Sequence, residues 1–201
     1  MRARCYALSE VANSVETTQG KRERLVESAR ELFHEQGVHA TTLADVAARA
    51  DVPLGNVYYY FKTKRDLVAA VIDRYLDQAG GLVDASGRSR SPKARLKALV
   101  ATWVDQRELV ARYGCPMGSL CGELAKCDTD LEREPAEVFA VMIDWAEEQF
   151  RELGRRDARD LAESLISGVQ GAALLANAFR DPGILARQGR SLDRWIDSLT
   201  S

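Results

Sequence analysis

The side chains best equipped for chemistry stand close together in this chain. Within residues 41–67, TTLADVAARADVPLGNVYYYFKTKRDL, the aromatic run Tyr58, Tyr59, Tyr60 and Phe61 leads directly into Lys62 and Lys64. Hydroxyls and ammonium groups gathered in one short segment suit a nucleic-acid groove, where phosphate oxygens and base edges are met by such donors. The net charge of −2 and the pI near 5.8 look unsuited to a polyanion. The distribution qualifies this: residues 1–70 hold ten Lys/Arg and nine Asp/Glu, net +1, and the remainder is net −3. The basic residues Lys21, Arg22, Arg24, Arg49, Lys62, Lys64 and Arg65 form a local set, and phosphate contacts need only a patch.

Short helices must position these groups. Leu43, Val46, Ala47 and Ala50 recur at helical spacing, so the segment opens with an amphipathic helix whose N-cap hydroxyl comes from Thr41 or Thr42. Ala50-Asp51-Val52-Pro53 breaks it, and Pro53, with no N–H to donate, suits the first turn of the next helix, over about 53–61. A further helix starts near Thr63. Two short helices joined by a tight turn, the second rich in hydrogen-bonding side chains, describe a helix-turn-helix that fits a major groove.

Gly55, Tyr58, Tyr59, Tyr60, Phe61, Lys64 and Leu67, with Thr42 and Ala47 ahead of them, resemble the DNA-binding signature of the tetracycline-repressor (TetR) family. The resemblance extends back through Ala29, Leu32, Phe33 and Gly37 and covers about residues 21–75. It implies that Tyr58 and Tyr60 reach phosphates or base edges. Lys64 and Thr42 then meet phosphates at helix starts, and Leu54 and Asn56 sit where bases are read, Asn suiting adenine and Leu a thymine methyl. Gly55 lets the helix approach the groove, and Lys62 belongs to the same set. Phe61 is expected in the core of the three-helix bundle; Tyr59 is open between core and DNA. Asp51 stands where the family usually has glycine, and Asp tolerates left-handed backbone better than most residues.

The 201 residues, 46% hydrophobic, allow one or two small domains with a buried core. Leu, Ala, Glu and Arg dominate, proline is scarce and β-type alternation nearly absent, so the chain is expected to be all-α. No apolar run approaches the ~20 residues of a membrane span, and Arg2 and Arg4 precede no signal-peptide core, which makes a cytoplasmic location the default. Residues 1–19 lack periodicity and are expected to be a flexible tail, or an arm in which Arg2 and Arg4 reach DNA. Lys21 to Gln36 reads as the first helix, ended by Gly37, and the helix begun near Thr63 is expected to stop at Gly80-Gly81. Pro92 starts a helix that runs to the Gly114–Gly118 interruption.

The cysteines, Cys5, Cys115, Cys121 and Cys127, have no zinc spacing. The two histidines, His34 and His39, both lie in the first third of the chain. No metal, cofactor or hydrolase triad can be assembled, and an enzyme is not expected. Cys115, placed in an accessible loop, and Cys127 beside Lys126 leave a thiol-based redox regulator as the alternative reading.

In the remaining two thirds, Trp103, Met117, Leu120, Leu124, Phe139, Met142 and Trp145 offer large, adaptable apolar surface, either as core or as the wall of an effector pocket. The resemblance implies the pocket. Tyr113-Gly-Cys-Pro-Met-Gly-Ser119 is similar to a subgroup of the family. Ser164, Gly168, Gly171 and Ala172 place small residues along one helix side. Close packing within the chain is one use for them. The resemblance implies the other, a dimer interface built from the last two helices and including Leu175 and Trp195.

The resulting expectation is a tail over 1–19, a three-helix helix-turn-helix DNA-binding domain over 20–66, and a helical effector-binding and dimerisation domain over 67–201. The function expected is that of a homodimeric transcriptional regulator, by family habit a repressor, bound to a palindromic double-stranded operator and released by a small, mostly apolar effector. A non-specific architectural DNA protein is disfavoured by the weak overall charge.

Overall fold

The computed structural model describes residues 4–85, 91–126 and 134–199, and side chains within 20–81, 91–126 and 136–199. These residues form ten helices: α1 Arg4–Gln36, α2 Leu43–Arg49, α3 Leu54–Tyr60, α4 Lys64–Ala85, α5 Pro92–Asp105, α6 Arg107–Tyr113, α7 Pro116–Leu124, α8 Glu134–Glu152, α9 Ala158–Phe179 and α10 Gly183–Ser198. They divide into two compact units, Met1–Val71 and Ile72–Ser201. Cys5, Cys127, Arg2, Arg4 and loop residues 86–90 lie outside the described side chains.

In the first unit, the apolar stripe of α1 (Leu25, Ala29, Leu32, Phe33) is buried with Val46 and Ala47 of α2, Val57 of α3 and Leu67, Val68 and Val71 of α4. Each helix keeps the apolar spacing that its sequence shows, because that stripe is what it buries. α1 starts at Arg4, ahead of the expected Lys21, and so takes in residues expected to be a tail. Residues 5–19 contain no glycine or proline to break the helix.

The second unit is organised around α9, which packs on α6, α8 and α10, while α5 packs on α8 and α10. Leu165, Val169, Ala173 and Ala176 of α9 are buried, as are Leu96, Leu99, Val100 and Trp103 of α5 and Val138, Met142, Trp145 and Phe150 of α8. A polar tie lies inside this packing. Arg95 Nε donates to Oε1 of buried Gln149, whose Nε2 donates to Trp145 O at 3.1 Å, and Arg95 also pairs with Glu152.

Two further boundaries differ from expectation. Gly80 and Gly81 lie inside α4, which continues to Ala85. Glycine costs a helix roughly 1 kcal/mol but stops it only where the chain must also turn. The helix from Pro92 breaks at Gln106 (φ −95°, ψ 11°) into α5 and α6. One off-helix residue barely disturbs the phase, so Val110 stays buried and the apolar pattern carries no sign of the break.

Gly189 decides how closely α10 meets α5. A Cβ there would stand 2.5 Å from Val104 Cγ2, far inside contact distance. Gly189→Ala is therefore expected to lower stability by roughly 1–3 kcal/mol, the usual effect of overpacking. Urea unfolding checks this; an unchanged midpoint and slope would mean that the crossing relaxes freely.

Candidate functional site

The helix-turn-helix is built from local hydrogen bonds. Thr42, not Thr41, is the N-cap of α2. Its hydroxyl accepts from the Asp45 N–H at 3.1 Å and donates to the Asp45 carboxylate at 2.7 Å, and that carboxylate also accepts from the Thr42 N–H at 2.8 Å. This reciprocal box satisfies donors that a helix start leaves open. The Thr42 hydroxyl bond, first, and the Thr42 N–H hold the Asp45 carboxyl below its ordinary pKa. Its hold on α2 is thus complete above the usual carboxylate range and is lost as pH falls through the lowered value. Thr41 is instead buried and donates to Gly37 O at 2.7 Å.

The turn follows the sequence closely. Asp51 takes the left-handed backbone at φ +52°, and the Val52 N–H reaches back to Ala47 O at 3.0 Å. Arg24 of α1 donates to Ala50 O at 3.2 Å and braces the turn from behind. Pro53 is the N-cap of α3, and Asn56 N–H closes the first turn onto Pro53 O at 2.8 Å.

Two residues anchor α3. Val57 is fully buried, and Phe61 is buried with the Arg22 guanidinium 5.4 Å above its ring. The opposite face is open. Leu54 is 43% exposed, Tyr58 49% and Tyr59 70%. Tyr59 is therefore no part of the bundle core, which decides the question its sequence position leaves open. Tyr60 is half-buried and meets Tyr59 edge-on, ring centroids 5.0 Å apart. Asn56 is half-buried beside this face, and Gly55 is exposed. A Cβ on Gly55 would meet nothing within 4 Å, so the fold itself does not require glycine there.

Among the basic residues, Arg49 is bound to Glu35 at 2.9 Å and Glu31 at 3.3 Å, and Arg24 and Arg22 are engaged as described. Lys62 caps α3 by donating to Tyr58 O at 2.9 Å, and Lys64 Nζ donates to His39 O at 3.3 Å, each with its ammonium near the surface. Thr63 starts α4 with a second box: its hydroxyl accepts from the Asp66 N–H at 3.2 Å, and its N–H donates to Asp66 at 2.9 Å. Lys62, Lys64 and Arg65 are the members of the basic set that follow α3 directly in the chain.

In the second unit, Trp103, Leu120, Leu124, Met142 and Trp145 are buried, and Met117 and Phe139 are half-buried. α7 and α8, which carry six of these seven, pack on each other. Trp103 lines a narrow gap with Val169, Leu185 and Leu192. Cys115, expected in an accessible loop, is buried as the N-cap of α7. Burial first, and Cys115 second, push the Cys121 thiol up to about 11, so it stays protonated at neutral pH. A protonated thiol is a poor nucleophile, which weakens the redox reading at Cys121.

The small-residue face divides in two. A Cβ on Gly168 would stand 3.1 Å from Gln188 Nε2 and 3.5 Å from a Leu192 methyl, so Gly168 serves the packing of α9 on α10. Ala172 is buried, and Trp195 packs edge-on against Phe150, centroids 5.9 Å apart. These three meet neighbours within the chain. Gly171 is exposed, and a Cβ there meets nothing within 4 Å. Ser164, two turns earlier on the same helix side, is exposed too. Gly168, Gly171, Ala172 and Leu175 border an open groove of about 490 Å³ shared with Ile184 and Arg187 of α10. Large apolar side chains outside the set expected from sequence are also exposed in this unit: Leu174 of α9 is 69% exposed and Phe179 70%, and Leu109 of α6 is exposed as well. The sequence does carry a signal for them, since Gly171, Leu174, Leu175, Ala178 and Phe179 form a second helical stripe on α9. A helix apolar on two faces has something more to bury.

No described helix is long and apolar enough to cross a membrane. Residues 25–71 match the family model described as bacterial regulatory proteins, tetR family, and residues 92–191 match that of the transcriptional regulator LmrA/YxaF-like C-terminal domain. The chain is 31% identical over 175 residues to an uncharacterized HTH-type transcriptional regulator of Mycobacterium tuberculosis, covering 81% of this chain and 87% of that protein. It is 28% identical over 162 residues to the HTH-type transcriptional repressor DhaR of a Mycobacterium species, covering 76% and 80%. Among solved structures it is similar to a regulatory protein TetR from Rhodobacter sphaeroides, with TM-score 0.76 and 26% identity over 86% of this chain and 96% of the other.

Proposed function

Because this chain belongs to the TetR family of DNA-binding bacterial transcriptional regulators, we propose that it is a cytoplasmic, homodimeric repressor that leaves a palindromic operator when a small, mostly apolar effector binds. The observation that carries the DNA half is the open face of α3. Leu54, Tyr58 and Tyr59 are exposed on a helix that Val57 and Phe61 anchor from behind. Asn56 and Gly55 serve base reading and close approach on this reading, and Thr42, Tyr60, Lys62 and Lys64 serve the phosphates. Residues 20–66 then contact DNA.

Residues 67–201 hold the effector and join the two copies. Two recognition helices are needed for two half-sites, and an isologous dimer supplies them with matching symmetry. The second apolar stripe of α9 supports that contact. Trp103, Met117, Leu120, Leu124, Phe139, Met142 and Trp145 support an apolar effector. The effector must bind the DNA-released form more tightly than the bound form, and its differential affinity sets the shift it can produce.

The test starts with full-length protein and a random duplex pool. The expected product of selection is a palindrome bound with a Kd of about 10⁻⁸ M or tighter, with affinity falling steeply as salt is raised. Fluorescence anisotropy on that duplex, screened against neutral apolar compounds, is expected to find ones that release it. Recovery of no common sequence, or affinity equal to that for random DNA, would overturn the operator assignment.

A further inference from the structure

Two carbonyls at the end of α6 are held from another helix. Arg112 O has no donor to meet it in line, because the residue four places on is Pro116, which carries no N–H. Ala111 O loses its helical partner as well, since the chain leaves the helix at Gly114 (φ 89°, ψ 179°). Both are met from the last turn of α9. Asn177 Nδ2 donates to Ala111 O at 3.3 Å, and the Arg180 guanidinium donates to Arg112 O. Arg180 does so from a left-handed backbone at φ +53°. Glycine would hold that conformation at less cost, but it has no side chain to reach α6.

The same corner fixes the start of α7. Gly114 is buried, and a Cβ on it would stand 2.7 Å from Ser119 Oγ and 3.8 Å from Asn177 Cγ. The end of α6, the first turn of α7 and Asn177 therefore close on one another. Cys115 alone separates Gly114 from α7, the helix of Met117, Leu120 and Leu124. The other side of this turn of α9 is bare. Ala178 and Phe179 are exposed, one turn beyond Leu174 and Leu175 of the stripe proposed to meet a second copy. Residues 177–180 thus hold α6 on one side and face outward on the other.

We propose that this last turn of α9 is a coupling joint: a second copy packed on Phe179 steadies Asn177 and Arg180, and through them the end of α6 and the start of α7. This rests on the proposed dimer and adds a route from it to α7. The coupling is reciprocal, so displacing α7 weakens the dimer.

Hydrogen–deuterium exchange of the full chain tests it, read on the amides of residues 107–120, with sedimentation reporting the oligomeric state. The parent dimer is expected to exchange there about fivefold more slowly than the Gly171→Leu monomer, the lower end of ordinary coupling between sites. A Cβ on Gly171 meets nothing within 4 Å, so that variant leaves the joint itself intact. With both donors removed, as in Asn177→Leu with Arg180→Gly, dimer and Gly171→Leu monomer are expected to exchange alike, compared at concentrations where sedimentation shows the dimer. Asn177→Asp, which keeps the shape and removes the donor, serves if the double variant does not fold. Equal exchange in the parent dimer and monomer overturns the joint. So does a difference that survives loss of the donors, which would mean that the partner covers α6 directly. A Gly171→Leu protein that remains dimeric instead removes the α9 interface on which the joint stands.

Discussion

Gly171→Leu is expected to leave the monomer folded and to abolish the dimer. Among the described residues none lies within 4 Å of a Cβ at this position, and the groove it borders is open, so a side chain there has room within the monomer. Replacing a helical glycine by leucine favours the helix by up to about 1 kcal/mol, and the isolated chain is expected to gain slightly in thermal stability. A leucine projecting from the middle of an intersubunit contact holds the two surfaces apart. Sedimentation should then report a monomer. Operator affinity should fall roughly 10²–10⁴-fold, the scale of losing the second of two linked binding events. Gly168→Leu is the wrong probe, because Gln188 and Leu192 already occupy its space. A Gly171→Leu protein that stays dimeric with unchanged operator affinity would remove α9 from the interface.

The second large effect is expected on α3. Tyr58→Ala and Tyr59→Ala remove exposed side chains, so both proteins should unfold at the parent's denaturant midpoint within about 0.5 kcal/mol. Operator affinity is nevertheless expected to fall about tenfold or more for Tyr58→Ala, and the double variant should approach non-specific binding. Lys64→Ala should act alike on every sequence and make the slope of log affinity against log salt shallower by about 0.9, one phosphate contact. Asn56→Ala should relax preference at one base pair, a discrimination of roughly 1–3 kcal/mol. Circular dichroism and anisotropy on the selected duplex separate the two kinds of loss. Tyrosine variants that bind normally would move the recognition surface off α3.

Local chemistry makes the helix-turn-helix legible in the amino-acid sequence. A threonine three residues ahead of an aspartate, a proline at a helix start and an aspartate in a tight turn each constrain only their own neighbours. The capping boxes at Thr42 and Thr63 and the left-handed Asp51 follow from them. The anchoring of Phe61 is readable for the same reason, since its place on the helix is set by spacing. The start of α1 is not, because a stripe reports what a helix buries and says little about where helix begins.

Elsewhere the deciding quantity is distance between residues far apart in the chain. Gly168 and Gly171 are equivalent in sequence, three residues apart on one helix, yet Gln188 and Leu192 crowd the first and nothing touches the second. Trp195, by its position available to a partner, packs on Phe150. Cys115, between a glycine and a proline, is buried. Gly80 and Gly81, a pair that suits a helix stop, lie within a helix. The sequence by itself determined the all-helical class, the tight turn and the short helix that follows it, because short-range hydrogen bonds and side-chain periodicity are properties of neighbouring residues. Only the tertiary structure decided which threonine caps α2, which tyrosines face outward and which glycine is free, because burial depends on which helices the rest of the chain lays against them.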